Sequence, residues 1–119
     1  MSGENKIDYI EMPAKDPKKA WTFFEGLFGW KFEDYGPDYC SFNDGRMTGG
    51  FYRANRSVSV QSGAPLIVFY RQDLQKAVRD VEALGGSITR NIFPFPGGSR
   101  FHFTDPNGNE FAIWSEKKQ

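Results

Sequence analysis

The strongest constraint on this chain is that its two halves follow the same order of signals. Tyr9-Ile10-Glu11-Met12 aligns with Leu66-Ile67-Val68-Phe69. At the same offset Asp16 falls over Asp73, Ala20 over Ala77, Leu27 over Leu84 and Gly29 over Gly86. Each half offers an apolar strand, an Asp at a helix start, a helix and a glycine stop. Two copies are too few for a solenoid, so they specify a duplicated module. At 119 residues the chain fits one domain, with 6–53 as module one, 54–64 as a polar linker and 65–116 as module two.

Local chemistry fills in the modules. Ile7 to Met12 reads as a strand. Asp16-Pro17 reads as a helix start, because Asp caps free N–H groups and Pro suits the first helical position. Ala20, Phe23, Phe24 and Leu27 recur at helical spacing, and Gly29 lies where a helix ends. Trp30 to Asp34, Tyr39 to Phe42 and Thr48 to Arg53 read as strands, with Asn43-Asp44-Gly45 as a hairpin turn. In the second half, Leu66 to Arg71 reads as a strand and Asp73 caps a helix striped by Leu74, Ala77, Val78, Val81 and Leu84. Ser87 to Ile92, Arg100 to Thr104 and Glu110 to Ser115 complete the set. Phe93-Pro94-Phe95-Pro96-Gly97-Gly98 reads as a loop, a candidate lid with a glycine hinge. The expected fold is α+β: two βαβββ modules whose curved mixed sheets surround a cavity.

Composition removes several classes of function. Lys+Arg and Asp+Glu both number 15, which argues against a broad nucleic-acid face. No apolar run approaches a membrane span, and the polar first residues do not read as a signal peptide. Cys40 is the single cysteine and reads as a buried small apolar residue, consistent with a reducing cytoplasm. Aromatics at 17% supply a strand-rich core and, equally, the lining of a pocket for a small organic molecule.

Four segments together resemble the vicinal oxygen chelate superfamily of glyoxalase I, bleomycin-resistance proteins and extradiol dioxygenases. They are Tyr9-Ile10-Glu11-Met12-Pro13, Asp16-Pro17-Lys18-Lys19-Ala20, Phe24-Glu25-Gly26-Leu27-Phe28-Gly29-Trp30 and Asp105-Pro106-Asn107-Gly108-Asn109-Glu110-Phe111. The resemblance implies paired βαβββ modules, a homodimer and a cavity that often holds a divalent metal. It places three metal-ligand positions on Tyr9, Leu66 and Ala112, with a fourth near Gly50 to Tyr52. None supplies an imidazole or carboxylate, so the family metal is expected to be absent.

Chemistry then falls to other groups. Glu11 lies two residues after Tyr9 and shares its face, which makes it a candidate general base or a solvated carboxylate. His102 is the only histidine. A five-residue loop at Asp105 to Asn109 pairs His102 with Ala112 and Arg100 with Trp114, turning all four away from Phe101, Phe103, Phe111 and Ile113. Glu11 and His102 are therefore the acid/base candidates. Tyr9, Tyr52, Tyr70, Arg100, Trp114, Phe93 and Phe95 are the ligand-binding candidates, Arg100 through its fork of donors and the rings by stacking. Three readings stay open: a metal-independent glyoxalase-like protein (a lyase or isomerase if an enzyme), a sequestering protein without turnover, and an interaction module that keeps only the scaffold.

Overall fold

A computed structural model describes residues 3–118. The element order is β1 (Tyr9–Ala14), α1 (Pro17–Phe28), β2 (Lys31–Asp34), β3 (Tyr39–Asn43), β4 (Thr48–Arg53), β5 (Ile67–Tyr70), α2 (Leu74–Ala83), β6 (Ser87–Phe95), β7 (Gly98–Thr104) and β8 (Glu110–Ser115). The βαβββ pattern thus occurs twice. The chain forms two compact units that divide between Arg56 and Ser57. The first sheet has the order β1-β4-β3-β2 and the second β5-β8-β7-β6. In each, the first strand runs parallel to the last and the other pairs are antiparallel.

The helix ends follow from the residues that flank them. The Asp16 side chain accepts a hydrogen bond from the Lys18 N–H, and Pro17 occupies the first turn. Gly29 closes α1 in the left-handed conformation at φ 73°, where its N–H reaches the Glu25 carbonyl. Asp73 caps α2 by accepting from the Lys76 N–H.

Each helix buries one stripe on one face of its own sheet. In the first unit Ala20, Phe23, Phe24 and Leu27 are buried with Met12, Trp30, Cys40, Phe42 and Phe51. Its centre is a run of stacked rings, with Phe24 and Trp30 at 4.7 Å and Trp30 and Phe42 at 4.5 Å. In the second unit Leu74, Ala77 and Val81 are buried with Phe101, Phe103, Phe111 and Ile113. Much of the aromatic content is therefore core. Cys40 is part of that core, and burial pushes its thiol up to about 11, so it stays protonated and unreactive.

Two expectations need correction. The first strand starts at Tyr9 and continues through Pro13 to Ala14. Strand β1 pairs only with β4, so it is an edge where a missing N–H costs little. The segment from Phe93 to Gly98 is not a loop or lid. Strand β6 runs to Phe95 and a tight turn at Pro96-Gly97 leads into β7, with Pro94 opposite Ser99 and Phe95 opposite Gly98. Strand β6 is also an edge, which accommodates Pro94, and two register shifts between Ile88 and Phe93 absorb the irregularity.

Candidate functional site

Alternation along β7 and β8 sorts the second sheet into two faces. Phe101, Phe103, Phe111 and Ile113 are fully buried on the helix side. His102 pairs with Ala112 and Arg100 with Trp114, as the turn length predicts. These residues therefore share the face opposite the helix, on which His102 and Ala112 are themselves buried. Val68 and Tyr70 join them, because β5 pairs them with Ala112 and Trp114. On the other flank β6 sets Phe93 beside Arg100.

His102 holds the most distinctive position on this face. It is only 7% exposed. Its Nδ1 lies 3.3 Å from Oε2 of Glu110. The other oxygen of Glu110 accepts from the Val60 N–H at 2.9 Å, so the carboxylate is held at both ends. An ionised carboxylate only accepts, which assigns the proton of a neutral ring to Nδ1. Nε2 is then a lone pair, and it is buried without a hydrogen-bond partner. The Phe93 ring stands 5.8 Å from the imidazole.

Aromatic and cationic groups line the rest of this face. The Arg90 guanidinium carbon lies 3.6 Å from the Phe93 centroid, and that of Arg100 lies 5.3 Å from it. Arg100 is also 5.8 Å from the Phe95 ring, and its buried Nε has no acceptor. Trp114 meets Tyr70 edge-on at 5.4 Å and Phe95 at 6.2 Å. The Tyr70 hydroxyl donates to Glu116. The structure thus brings His102, Arg100, Trp114, Tyr70, Phe93 and Phe95 onto one face.

The open face of the first sheet has a different chemistry. The Tyr39 hydroxyl donates to Oε2 of Glu11 at 2.9 Å, and the Tyr9 and Tyr39 hydroxyls are hydrogen-bonded to each other. Tyr39 spends its proton on Glu11, so Tyr9 is the donor in the second bond. Burial, then the bonds to Tyr9 and Glu11, raise the Tyr39 hydroxyl pKa well above the usual phenol value. Gly50 makes the arrangement possible: a Cβ there would stand 1.9 Å from the Tyr39 oxygen. Tyr52 lies opposite Tyr39 in the ladder and is exposed. A groove of about 690 Å³ beside this cluster is lined by Tyr9, Tyr35, Tyr39, Phe32, Phe42 and Lys31 among others. Glu11 and His102 belong to different units, and each has its own partner: Tyr39 for one, Glu110 for the other.

The positions that the resemblance assigns to a divalent metal carry no imidazole or carboxylate. The Tyr9 hydroxyl is engaged with Tyr39, Ala112 has no ligating atom and is fully buried, and Leu66 is apolar. At Gly50 the Tyr39 oxygen fills the space that a ligating side chain would occupy. Among the described residues no group of three or more His, Cys, Asp or Glu side chains could hold a metal ion.

The Asp105-to-Asn109 motif serves structure. Oδ1 of Asp105 accepts from the N–H groups of Asn107 and Asn109, at 3.0 and 2.9 Å. The Asn109 side chain in turn accepts from the Val58 N–H. Asp105 is 3% exposed, and burial pushes its carboxyl up to about 6.

Solved structures share the fold. A glyoxalase/bleomycin resistance protein/dioxygenase family enzyme from Burkholderia phytofirmans matches at TM-score 0.77 and 16% identity, over 92% of this chain and 98% of that one. A fosfomycin resistance protein from Listeria monocytogenes, solved with Mn(II) and a dihydroxypropylphosphonic acid, matches at 0.76 and 16%, over 93% and 90%. A hypothetical protein from S. aureus matches at 0.74 and 16%, over 95% of each chain. At these identities the likeness carries the fold alone. No curated protein sequence matches the chain. No helix among the described residues is long and apolar enough to cross a membrane. The family model for the Glyoxalase/Bleomycin resistance protein/Dioxygenase superfamily matches residues 6–113, and the chain belongs to that superfamily.

Proposed function

We propose that the protein takes a small organic ligand on the open aromatic face of its second sheet without the family's divalent metal, with His102 as its acid/base group. The observation that carries this reading is the imidazole held through Nδ1 by Glu110, with Nε2 buried and unpartnered. A proton from a bound ligand can pass to Nε2, and Glu110 stabilises the imidazolium that forms. Such transfer by a positioned side chain contributes about 10²- to 10⁴-fold in rate. Glu11 is the second acid/base candidate, with Tyr39 as its hydrogen-bond donor. The rings of Phe93, Tyr70 and Trp114 supply stacking surface for a flat ligand, as Tyr9 and Tyr52 do on the first sheet. We take the working form as a cytoplasmic homodimer, by analogy with the superfamily.

The same rings also suit sequestration without turnover. Variants separate the two. His102→Gln abolishes turnover and spares affinity if the protein is an enzyme, whereas Trp114→Ala lowers affinity in either case. A thermal-shift screen of small organic molecules, with elemental analysis of protein purified without chelator, is the direct test. A ligand at 100 times its Kd adds about 2.7 kcal/mol of stability. One equivalent of Zn, Ni, Mn or Fe would overturn the metal-independent reading. A broad library that never moves the midpoint would leave the scaffold-only interaction module.

A further inference from the structure

The open face of the second sheet carries two guanidinium groups without an ion-pair partner among the described residues. Elsewhere in this unit Arg71 and Lys76 share Asp80, each at 2.9 Å. Arg90 and Arg100 have no such partner among the described residues, and both lie against the Phe93 ring. The two acids near them are committed, Glu110 to His102 and the Val60 N–H, and Glu116 to Tyr70. The buried Arg100 Nε–H has no acceptor, and a buried donor left unpaired is destabilising. Next to it on the same face, the imidazole of His102 is more than nine-tenths buried and its Nε2 is also unpartnered.

We propose that Arg100 and Arg90 form an oxyanion subsite, and that the ligand is a flat organic anion bearing a carboxylate or phosphonate-type group. The guanidinium fork suits the paired oxygens of either group. The oxyanion supplies the acceptor that Arg100 Nε lacks and the ion-pair partner that neither guanidinium has among the described residues. The ligand body then lies along Phe93 and toward Trp114, with His102 Nε2 facing its nearest atoms. This deepens the ligand-binding reading above and rests on it.

The single histidine provides the assay. Its ring C–H signals are the only imidazole resonances in a proton NMR spectrum of the protein. Benzoate, phenylphosphonate, benzyl alcohol, benzylamine and inorganic phosphate are titrated in turn. Saturable shifts are expected with benzoate and phenylphosphonate, and much weaker ones with the alcohol and the amine. Arg100→Gln should weaken benzoate binding at least about tenfold without lowering the melting midpoint, and Arg100→Lys should recover only part of it. Arg90→Gln, at a less buried position, repeats the test should the first variant fold poorly. Benzyl alcohol or benzylamine binding as tightly as benzoate would overturn the subsite while leaving the ligand-binding reading intact. Unchanged benzoate affinity in both Arg variants would do the same. Inorganic phosphate as strong as phenylphosphonate would overturn the flat-ligand part. Silence from all five, together with a silent thermal screen, would overturn both.

Discussion

Replacing Asp105 by Asn should stabilise the protein near neutral pH by an amount that grows with pH. The carboxyl of Asp105 is buried, and burial raises its pKa from 3.8 to about 6 against the opposing pull of N–H groups from Asn107, Gly108 and Asn109. Between those values the folded state holds a proton that the unfolded state has released. Stability contributed by this group is therefore complete below the unfolded value and is lost as pH rises through the folded one. The shift corresponds to about 3 kcal/mol when fully developed, of which about 1 kcal/mol is already lost at pH 4.5. The remaining loss from pH 4.5 to 7 is about 2 kcal/mol. Asn keeps an acceptor oxygen for the Asn107 and Asn109 N–H groups but carries no charge, so it removes the pH-dependent part. The assay is urea denaturation of both proteins at several pH values over this range. Subtraction cancels the titration of every other group. The account requires the advantage of Asp105→Asn to increase by about 2 kcal/mol from pH 4.5 to 7 and then level off. A difference that stays flat, or that shrinks with rising pH, would refute it by showing that the turn's N–H groups outweigh burial.

The two adjacent glycines of β4 should respond unequally to a methyl group. In Gly49→Ala the new Cβ would lie 2.4 Å from the Ile10 carbonyl oxygen, a backbone atom that cannot move aside, so a loss of about 3 kcal/mol or more is expected by denaturation. Gly50→Ala meets only the end of the Tyr39 side chain, so the fold should survive with a loss near 1 kcal/mol while the Tyr39–Glu11 bond is broken. Tyr39→Phe should remove that bond at about 1 kcal/mol without the steric term, and a crystal structure would show Glu11 turned to solvent.

The duplicated architecture was legible because its signals are local and repeated. Asp16-Pro17, Asp73 and Gly29 act within one helical turn, and the Asp105-to-Asn109 loop length fixes the pairing of His102 with Ala112. The Phe93-to-Gly98 segment reads as a loop because Pro and Gly are turn signals, but β6 is an edge strand, where both are tolerated. Tyr39 was missed as a partner of Glu11 because β4 lies between their strands, so no sequence spacing links them. The available signal was Gly49-Gly50 inside a strand, which marks a close approach of another group. In the sequence Glu110 reads only as the first residue of the last strand and as part of the Asp105-to-Phe111 family motif. It lies two residues from Ala112, hence on the same face as His102 and diagonal to it, and that spacing could have identified it.

Whether His102 can act as a base depends on which of its ring nitrogens carries the proton. Long-range nitrogen–proton correlation NMR on uniformly nitrogen-15-labelled protein reads the tautomer directly, and the sole histidine makes the assignment unambiguous. In the neutral ring the proton is expected on Nδ1, bound to Glu110, with Nε2 unprotonated. Glu110→Gln should blur that preference. A neutral ring protonated at Nε2 in the native protein would rule out the proposed role of His102, because its lone pair would then face Glu110 and Nε2 could take no proton.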